Sequence, residues 1–148
     1  MKRNIYHLLF LIFPIVMMGQ IDTQSRFHSD YREYYTWNEA SRSYILQEKE
    51  YEHSIVEIRE IGSKNHGYIA LSISDDGRAR LFHGSITAYT VNDKKEPTWQ
   101  MLSRTMKSKL TYDPKEHTFT YLYDAGDLRY EKILVMKVDQ SKPPEIRD

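Results

Sequence analysis

The sequence predicts an all-β fold, a single antiparallel meander domain, from three observations. Short runs in which apolar and polar residues alternate recur along the chain, as expected for strands with one buried face. Turn-forming residues separate these runs at near-regular spacing, and no long helical crossover interrupts them. Twelve tyrosines, within an aromatic content of 13%, support the prediction because tyrosine favours strands.

Residues 1–19 have the layout of a secretory signal peptide. A basic start precedes an apolar run at 5–18, Gly19 offers a small residue for cleavage, and polar sequence follows. The run is shorter than the roughly 20 residues of a membrane-spanning helix. We therefore expect an exported protein with no stable membrane span after cleavage. An uncleaved anchor is the alternative, because Met17 is large for its position before the cleavage site.

Charge and cysteine content narrow the class of protein. The 21 basic and 21 acidic residues balance, which gives no support to nucleic-acid binding. The chain has no cysteine, so disulfides, a lipidated cysteine and thiolate chemistry are excluded. Exported animal domains of this size usually carry disulfides, so we expect a bacterial protein of the periplasm or the extracellular space.

One all-β domain is predicted over residues 31–139, between two irregular ends. Residues 20–30 are polar with little periodicity, which predicts a loose N-terminal segment. Residues 140–148 are polar and contain two prolines, which predicts a disordered tail.

The clearest strands lie in the second half of the chain. Between residues 109 and 124 the alternation continues on both sides of the turn Asp113-Pro114-Lys115-Glu116, which predicts a β-hairpin. A second turn at Ala125-Gly126-Asp127 leads to a predicted strand over 128–138. Its mostly apolar face starts at Leu128.

Further strands are predicted in the first half of the chain, at 31–37, 43–49, 54–61, 68–74 and 78–91. A helix over 38–50 is the alternative to the second of these, since several of its residues favour helix. Asp75-Asp76-Gly77 predicts a tight hairpin turn, because Asp-Gly tolerates positive φ. Gly84 predicts a bulge or bend within the last strand.

Residues 98–108 have two interpretations. They form either an interrupted strand that runs into 109–112, or a short helix in which Trp99, Leu102 and Met106 lie at helical spacing. The strand is favoured because no good N-cap precedes the segment.

The sequence predicts seven or eight strands joined by short loops. Exposed strand edges tend to pair with other chains, so small domains of this kind usually close the sheet into a barrel or pack two sheets as a sandwich. We expect a small lipocalin-like up-and-down β-barrel, with a filled interior or room for one small ligand. A β-sandwich is the alternative. The resemblance to lipocalins is one of architecture only, because Tyr35-Thr36-Trp37 stands where lipocalins carry Gly-x-Trp.

The sequence contains no motif for catalysis, a cofactor or a metal ion. No two histidines have the spacing of a zinc-binding helix, and Asp75-Asp76-Gly77 lacks the later oxygen ligands of a calcium loop. Gly84-Ser85 lacks the surroundings of a nucleophile elbow. We expect no enzyme, no cofactor and no metal site.

Aromatic residues supply the candidate ligand-binding site. Tyr112, Tyr121, Tyr123 and Tyr130 lie on adjacent predicted strands, and Trp99 is within reach of them. Such a group predicts a pocket for a small hydrophobic molecule or a platform on which the sugar rings of a glycan stack. Ordinary cross-strand packing in the core is the alternative.

Two functions agree with these observations. The first is a secreted or periplasmic non-enzymatic binding module for a small hydrophobic molecule or glycan. The second is a protein–protein interaction domain, such as an envelope assembly factor or an inhibitor of an exported enzyme. In that case the charged loops at 64–66 and 92–96 would contact the partner protein.

Overall fold

A computed structural model of the protein describes residues 22–104, 106–124 and 126–148, which form eleven strands and one 3₁₀ turn at Leu128–Tyr130. The signal peptide expected at 1–19 lies outside the described residues. The strands are β1 (Asp22–Ser29), β2 (Tyr31–Asn38), β3 (Ser43–Glu50), β4 (Ser54–Ile61), β5 (Ser63–Asp75), β6 (Arg78–Val91), β7 (Pro97–Ser103), β8 (Met106–Asp113), β9 (Thr118–Asp124), β10 (Lys132–Lys137) and β11 (Glu145–Arg147).

All eleven strands belong to one antiparallel sheet with the order β11-β1-β4-β5-β6-β7-β8-β9-β10-β2-β3. From β4 to β10 each strand pairs with the next one along the chain, as in a meander. The sheet curls into a half-barrel, in the manner of an up-and-down β-barrel. The predicted fold class is therefore confirmed.

One long strand, interrupted only at Asp30, joins the two ends of the meander. Its first half, β1, pairs with β4, and its second half, β2, pairs with β10. The backbone amide of Asp139, just beyond β10, also donates to the carbonyl of His28 on β1 at 2.8 Å. The first and last strands of the meander therefore meet on the same stretch of chain, and the core lies inside the curve.

Alternation along the strands builds this core. Residues that face each other in an antiparallel pair share a face of the sheet, so the registers put one apolar set on the concave side. In β4 and β5 the buried apolar residues alternate with more exposed neighbours. The buried apolar residues are Val56, Ile58, Ile69, Leu71, Ile73, Ile86, Trp99, Met101, Leu110, Phe119, Tyr121, Leu134, Met136 and Val138.

Two of the predicted turns form as their residues require. Asp76 and Gly77, with φ of 49° and 73°, connect β5 to β6 in the positive-φ conformation of a type I′ hairpin. Between β8 and β9 the carboxylate of Asp113 accepts hydrogen bonds from the backbone amides of Lys115 and Glu116, at 2.8 and 3.0 Å. These bonds, chiefly that from Glu116, lower the pKa of Asp113.

The structure differs from the sequence prediction at both ends of the domain. The segment at 20–30, predicted to be loose, contains β1, and the segment at 140–148, predicted to be a disordered tail, contains β11. These two strands pair with each other, with Ser25 opposite Ile146. Phe27 of β1 also packs on Phe119, with ring centroids 5.0 Å apart. Both are long-range contacts, which the polar local sequence does not reveal.

Residues 98–108 are neither one interrupted strand nor a helix. They form the hairpin of β7 and β8, which turns at Arg104 with φ of 53°. The bulge predicted at Gly84 lies further along β6, between Ile86 and Ala88. Gly84 serves close packing instead, because a Cβ there would stand 3.1 Å from the carbonyl oxygen of Leu102.

The structure confirms the strand predicted at β3 and shortens the strand predicted at β10. Residues 43–50 form strand β3, so the helix considered over 38–50 is wrong. The strand predicted over 128–138 is shorter than expected, because Leu128–Tyr130 form the 3₁₀ turn. The Asp127 carboxylate accepts from the backbone amide of Arg129 at 3.0 Å and so caps this turn.

Arg32 of β2 is the one charged residue among the buried residues of the described chain, with 1% of its surface exposed. Its guanidinium pairs with Glu50 of β3, donates to Ser54 Oγ of β4 at 3.1 Å, and donates to the carbonyl of Ser74 on β5. Burial of a charge costs free energy unless the charge is paired and hydrogen-bonded. Arg32 thus joins four strands through one side chain.

Arg32→Ala should therefore lower the free energy of unfolding by about 3–5 kcal/mol, because Glu50, Ser54 and Ser74 lose their partner. Guanidinium chloride unfolding followed by circular dichroism measures this loss. Arg80→Ala is the matched control, since Arg80 is exposed and its pair with Asp75 lies at the surface; it should cost less than about 1 kcal/mol. Equal costs for the two variants would show that the interior network does not stabilise the fold.

Gly67→Ala tests the irregular pairing of β4 with β5. Gly67 has φ of 130°, and an added Cβ would lie 1.9 Å from the carbonyl oxygen of Arg59, so the two strands would have to separate. We expect a loss of about 3 kcal/mol in unfolding free energy. Gly77→Ala also carries positive φ but meets no atom within 4 Å, so it should cost about 1–2 kcal/mol. An equal cost for both variants would assign the effect to backbone conformation alone.

Candidate ligand-binding cavity

One end of the barrel opens into a cavity of about 620 Å³, between β2, β3, β5, β6, β9 and β10. This volume falls within the range of pockets that bind small molecules, about 300–1,000 Å³. The lining comprises Arg32, Tyr34, Glu48, Glu50, Ile73, Asp75, Arg80, Leu81, Phe82, Tyr121, Tyr123, Lys132, Ile133 and Leu134. The cavity therefore combines apolar and aromatic groups with six charged side chains.

Strand register explains why most of these residues face the cavity. Tyr121 lies opposite Leu134 between β9 and β10, and Leu134 lies opposite Tyr34 between β10 and β2. On the far wall, Leu71 of the core lies opposite Phe82. The core face of each strand thus continues into the cavity.

An aromatic wall forms the inner part of the cavity. The rings of Phe82 and Tyr121 lie 5.6 Å apart, centroid to centroid, inclined at 48°. Tyr121 is buried, and its burial raises the pKa of its hydroxyl. The ring therefore keeps a neutral hydroxyl at physiological pH. Tyr123 follows on the same face of β9 and is half-buried, so it extends this wall.

Most charged groups of the lining are already paired. Arg32 pairs with Glu50, and Arg80 pairs with Asp75 at 2.9 Å. The remaining two, Glu48 and Lys132, form no ion pair with another described residue. Three cations and three anions cancel in the lining, so the cavity as a whole favours neither a cationic nor an anionic molecule.

The five residues predicted from the sequence to bind a ligand do not form one site: two line the cavity and three lie elsewhere. Tyr121 and Tyr123 line the cavity. Tyr112 packs between Phe27 and Phe119, and Trp99 is buried against Tyr89 with ring centroids 5.4 Å apart.

Tyr130 does not reach the cavity either. It lies on the 3₁₀ turn and is 62% exposed. For Trp99, the indole Nε1 is a buried nitrogen that has no hydrogen-bond partner in the described part of the chain. Two of the five residues, Tyr121 and Tyr123, therefore remain candidates for contact with a ligand in this cavity.

Several lining residues were missed by reasoning from sequence, above all Arg32, Tyr34, Phe82 and Leu134. Tyr34 and Leu134 each lie on a predicted strand, and alternation places each on a face. What the sequence lacks is the pairing of β2 with β10, which makes these two residues neighbours. Alternation gave no signal for Arg32, because it shares its face of the strand with Tyr34 and Thr36, whereas most aromatic residues of the strand lie on the opposite face.

Two features are absent from the described residues. No group of three or more histidine, aspartate or glutamate side chains there is arranged to hold a metal ion. No helix in the same residues has the length and apolar character needed to cross a membrane.

Comparisons with family models, with curated proteins and with solved structures gave no match to this chain.

Proposed function

We propose that this protein is a non-enzymatic binding module that holds a small, largely apolar molecule in the cavity at the open end of the barrel. The observation that carries the proposal is the aromatic wall of Phe82, Tyr121 and Tyr123 inside a cavity of about 620 Å³. Pockets for small molecules are typically apolar concavities with a few polar groups that orient the ligand. Here Glu48 and Lys132 are the polar groups whose charges no described residue pairs.

The position of the tyrosines favours an enclosed apolar ligand over a stacked glycan. A platform for sugar rings needs several aromatic faces exposed side by side on one surface. Tyr121 is buried, Tyr112 is half-buried against the core, and Tyr130 is exposed on a separate turn. The aromatic area that a ligand can reach is therefore inside the cavity.

Export belongs to the same proposal. The signal-peptide pattern at 1–19 and the absence of cysteine support a bacterial protein of the periplasm or extracellular space. In an aqueous compartment the transfer of a small apolar molecule into a protein cavity lowers the free energy, because apolar surface is removed from water.

Binding of the neutral fluorophore N-phenyl-1-naphthylamine tests the cavity directly. The dye should bind with enhanced fluorescence, and Tyr123→Ala should weaken binding about tenfold, corresponding to ~1.4 kcal/mol of lost ring contact. Tyr130→Ala removes the same side chain outside the cavity, so its affinity should equal that of the wild type.

Circular dichroism on both variants shows whether the fold is kept. Absence of dye binding to the wild-type protein, or equal loss in the two variants, would contradict the proposal. In either case a protein partner that contacts the charged loop at 92–96 and residues 64–66, which lie in β5 and not in the loop predicted there, would become the better proposal.

A further inference from the structure

Two histidines that lie far apart in sequence come together on the outer face of the barrel. His28 lies on β1 between Phe27 and Ser29, which face the interior, so His28 faces outward. His53 lies in the short connection between β3 and β4, diagonally across from His28, whose direct partner is Ile55. The Nδ1 atom of His28 lies 3.4 Å from the Nε2 atom of His53.

Two carboxylates determine where the protons of these imidazoles reside. His53 Nδ1 lies 2.8 Å from Asp30 Oδ1, and His28 Nε2 lies 3.4 Å from Glu145 Oε1. An ionised carboxylate only accepts hydrogen bonds, so the nitrogen that faces it carries the proton. In the neutral form of both rings, the two remaining nitrogens therefore both carry lone pairs and no proton. Such a pair cannot form a hydrogen bond and instead offers two ligands to one cation.

The distance between the two nitrogens suits a metal ion. The two nitrogens lie 3.4 Å apart. Two bonds of about 2.05 Å that meet at a tetrahedral zinc ion separate their nitrogens by about 3.3 Å. The ring centroids are 5.4 Å apart, so the two nitrogens lie on the sides of the rings that face each other.

The carboxylates complete the pattern of a metal centre. Histidines that bind metals usually donate their other ring N–H to a carboxylate or carbonyl, which orients the ring and raises its basicity. Asp30 is held by Lys142 at 3.0 Å, and Glu145 lies 3.7 Å from Arg26. The His53 side chain is 44% exposed and that of His28 18%, so an ion can approach from solvent.

We propose that His28 and His53 bind one divalent first-row transition metal ion, such as Zn²⁺, with Asp30 and Glu145 as positioning residues. Imidazole nitrogens favour Zn²⁺, Ni²⁺ and Cu²⁺, whereas Mg²⁺ and Ca²⁺ prefer oxygen ligands. Because no third ligand from the described residues completes a metal cluster here, water fills the remaining positions. This site lies on the outer face of the sheet and is independent of the cavity.

Isothermal titration calorimetry with ZnCl₂ at neutral pH, on the full chain purified without a polyhistidine tag, tests the site. The wild type should bind one Zn²⁺ and give no signal with MgCl₂. His28→Ala and His53→Gln should each abolish binding, and Asp30→Asn and Glu145→Gln should each weaken it about tenfold or more. His53→Gln lies in a connecting segment and is the variant least able to disturb the sheet.

His66→Ala and His83→Ala are the matched controls, because each removes an exposed histidine outside the pair. Both should keep the wild-type affinity. The proposal is overturned if the wild type binds Zn²⁺ no more tightly than His53→Gln, or if the control variants lose affinity to the same extent. As an independent readout, electron paramagnetic resonance of the Cu²⁺-loaded protein should show two coupled imidazole nitrogens in the wild type and fewer in His53→Gln.

Discussion

The buried guanidinium of Arg32 is the interaction on which the architecture depends. The long strand β1–β2 pairs with β4 through its first half and with β10 through its second half, so its direction must be set where the two halves meet. Arg32 follows this point closely and binds Glu50, Ser54 and Ser74, on the three strands across from it. Apolar side chains would pack there without regard to direction. A guanidinium with several fixed donors requires its acceptors in particular places, and so favours one arrangement of the strands.

Arg32 also lies at the boundary between the packed core of the barrel and the open cavity. Arg32 lies opposite Met136, which is fully buried, and it also borders the cavity. On the Met136 side the interior is filled by apolar side chains. On the other side the polar and charged groups of Glu48, Glu50 and Lys132 replace them, and the barrel remains open. Charged groups resist burial without partners, so this end of the barrel keeps contact with water.

Sequence patterns identified most strands because alternation is a local property. The β5–β6 turn and the β8–β9 turn each depend on residues within four positions of one another, and both form as predicted. β1 and β11 were missed because their stability comes from pairing with strands that are distant in the sequence: β1 pairs with β4, and β11 pairs with β1 across more than 100 residues of chain. The hairpin of β7 and β8 was missed for another reason: it turns at Arg104, a non-glycine residue with positive φ, which carries no turn signature.

The candidate sites depend still more on long-range pairing. Aromatic composition led to Tyr121 and Tyr123, but their neighbours in the cavity come from β2 and β6, which no local pattern relates to β9.

The histidine pair shows the same limit more sharply. His28 and His53 have no metal-site spacing in the chain, and they meet only because β1 pairs with β4. Their carboxylate partners come from the strand break at Asp30 and from β11 at the C-terminus. One interruption in one strand thus has two consequences: it directs β2 toward β10, which shapes the cavity, and it places Asp30 beside His53 on the outside.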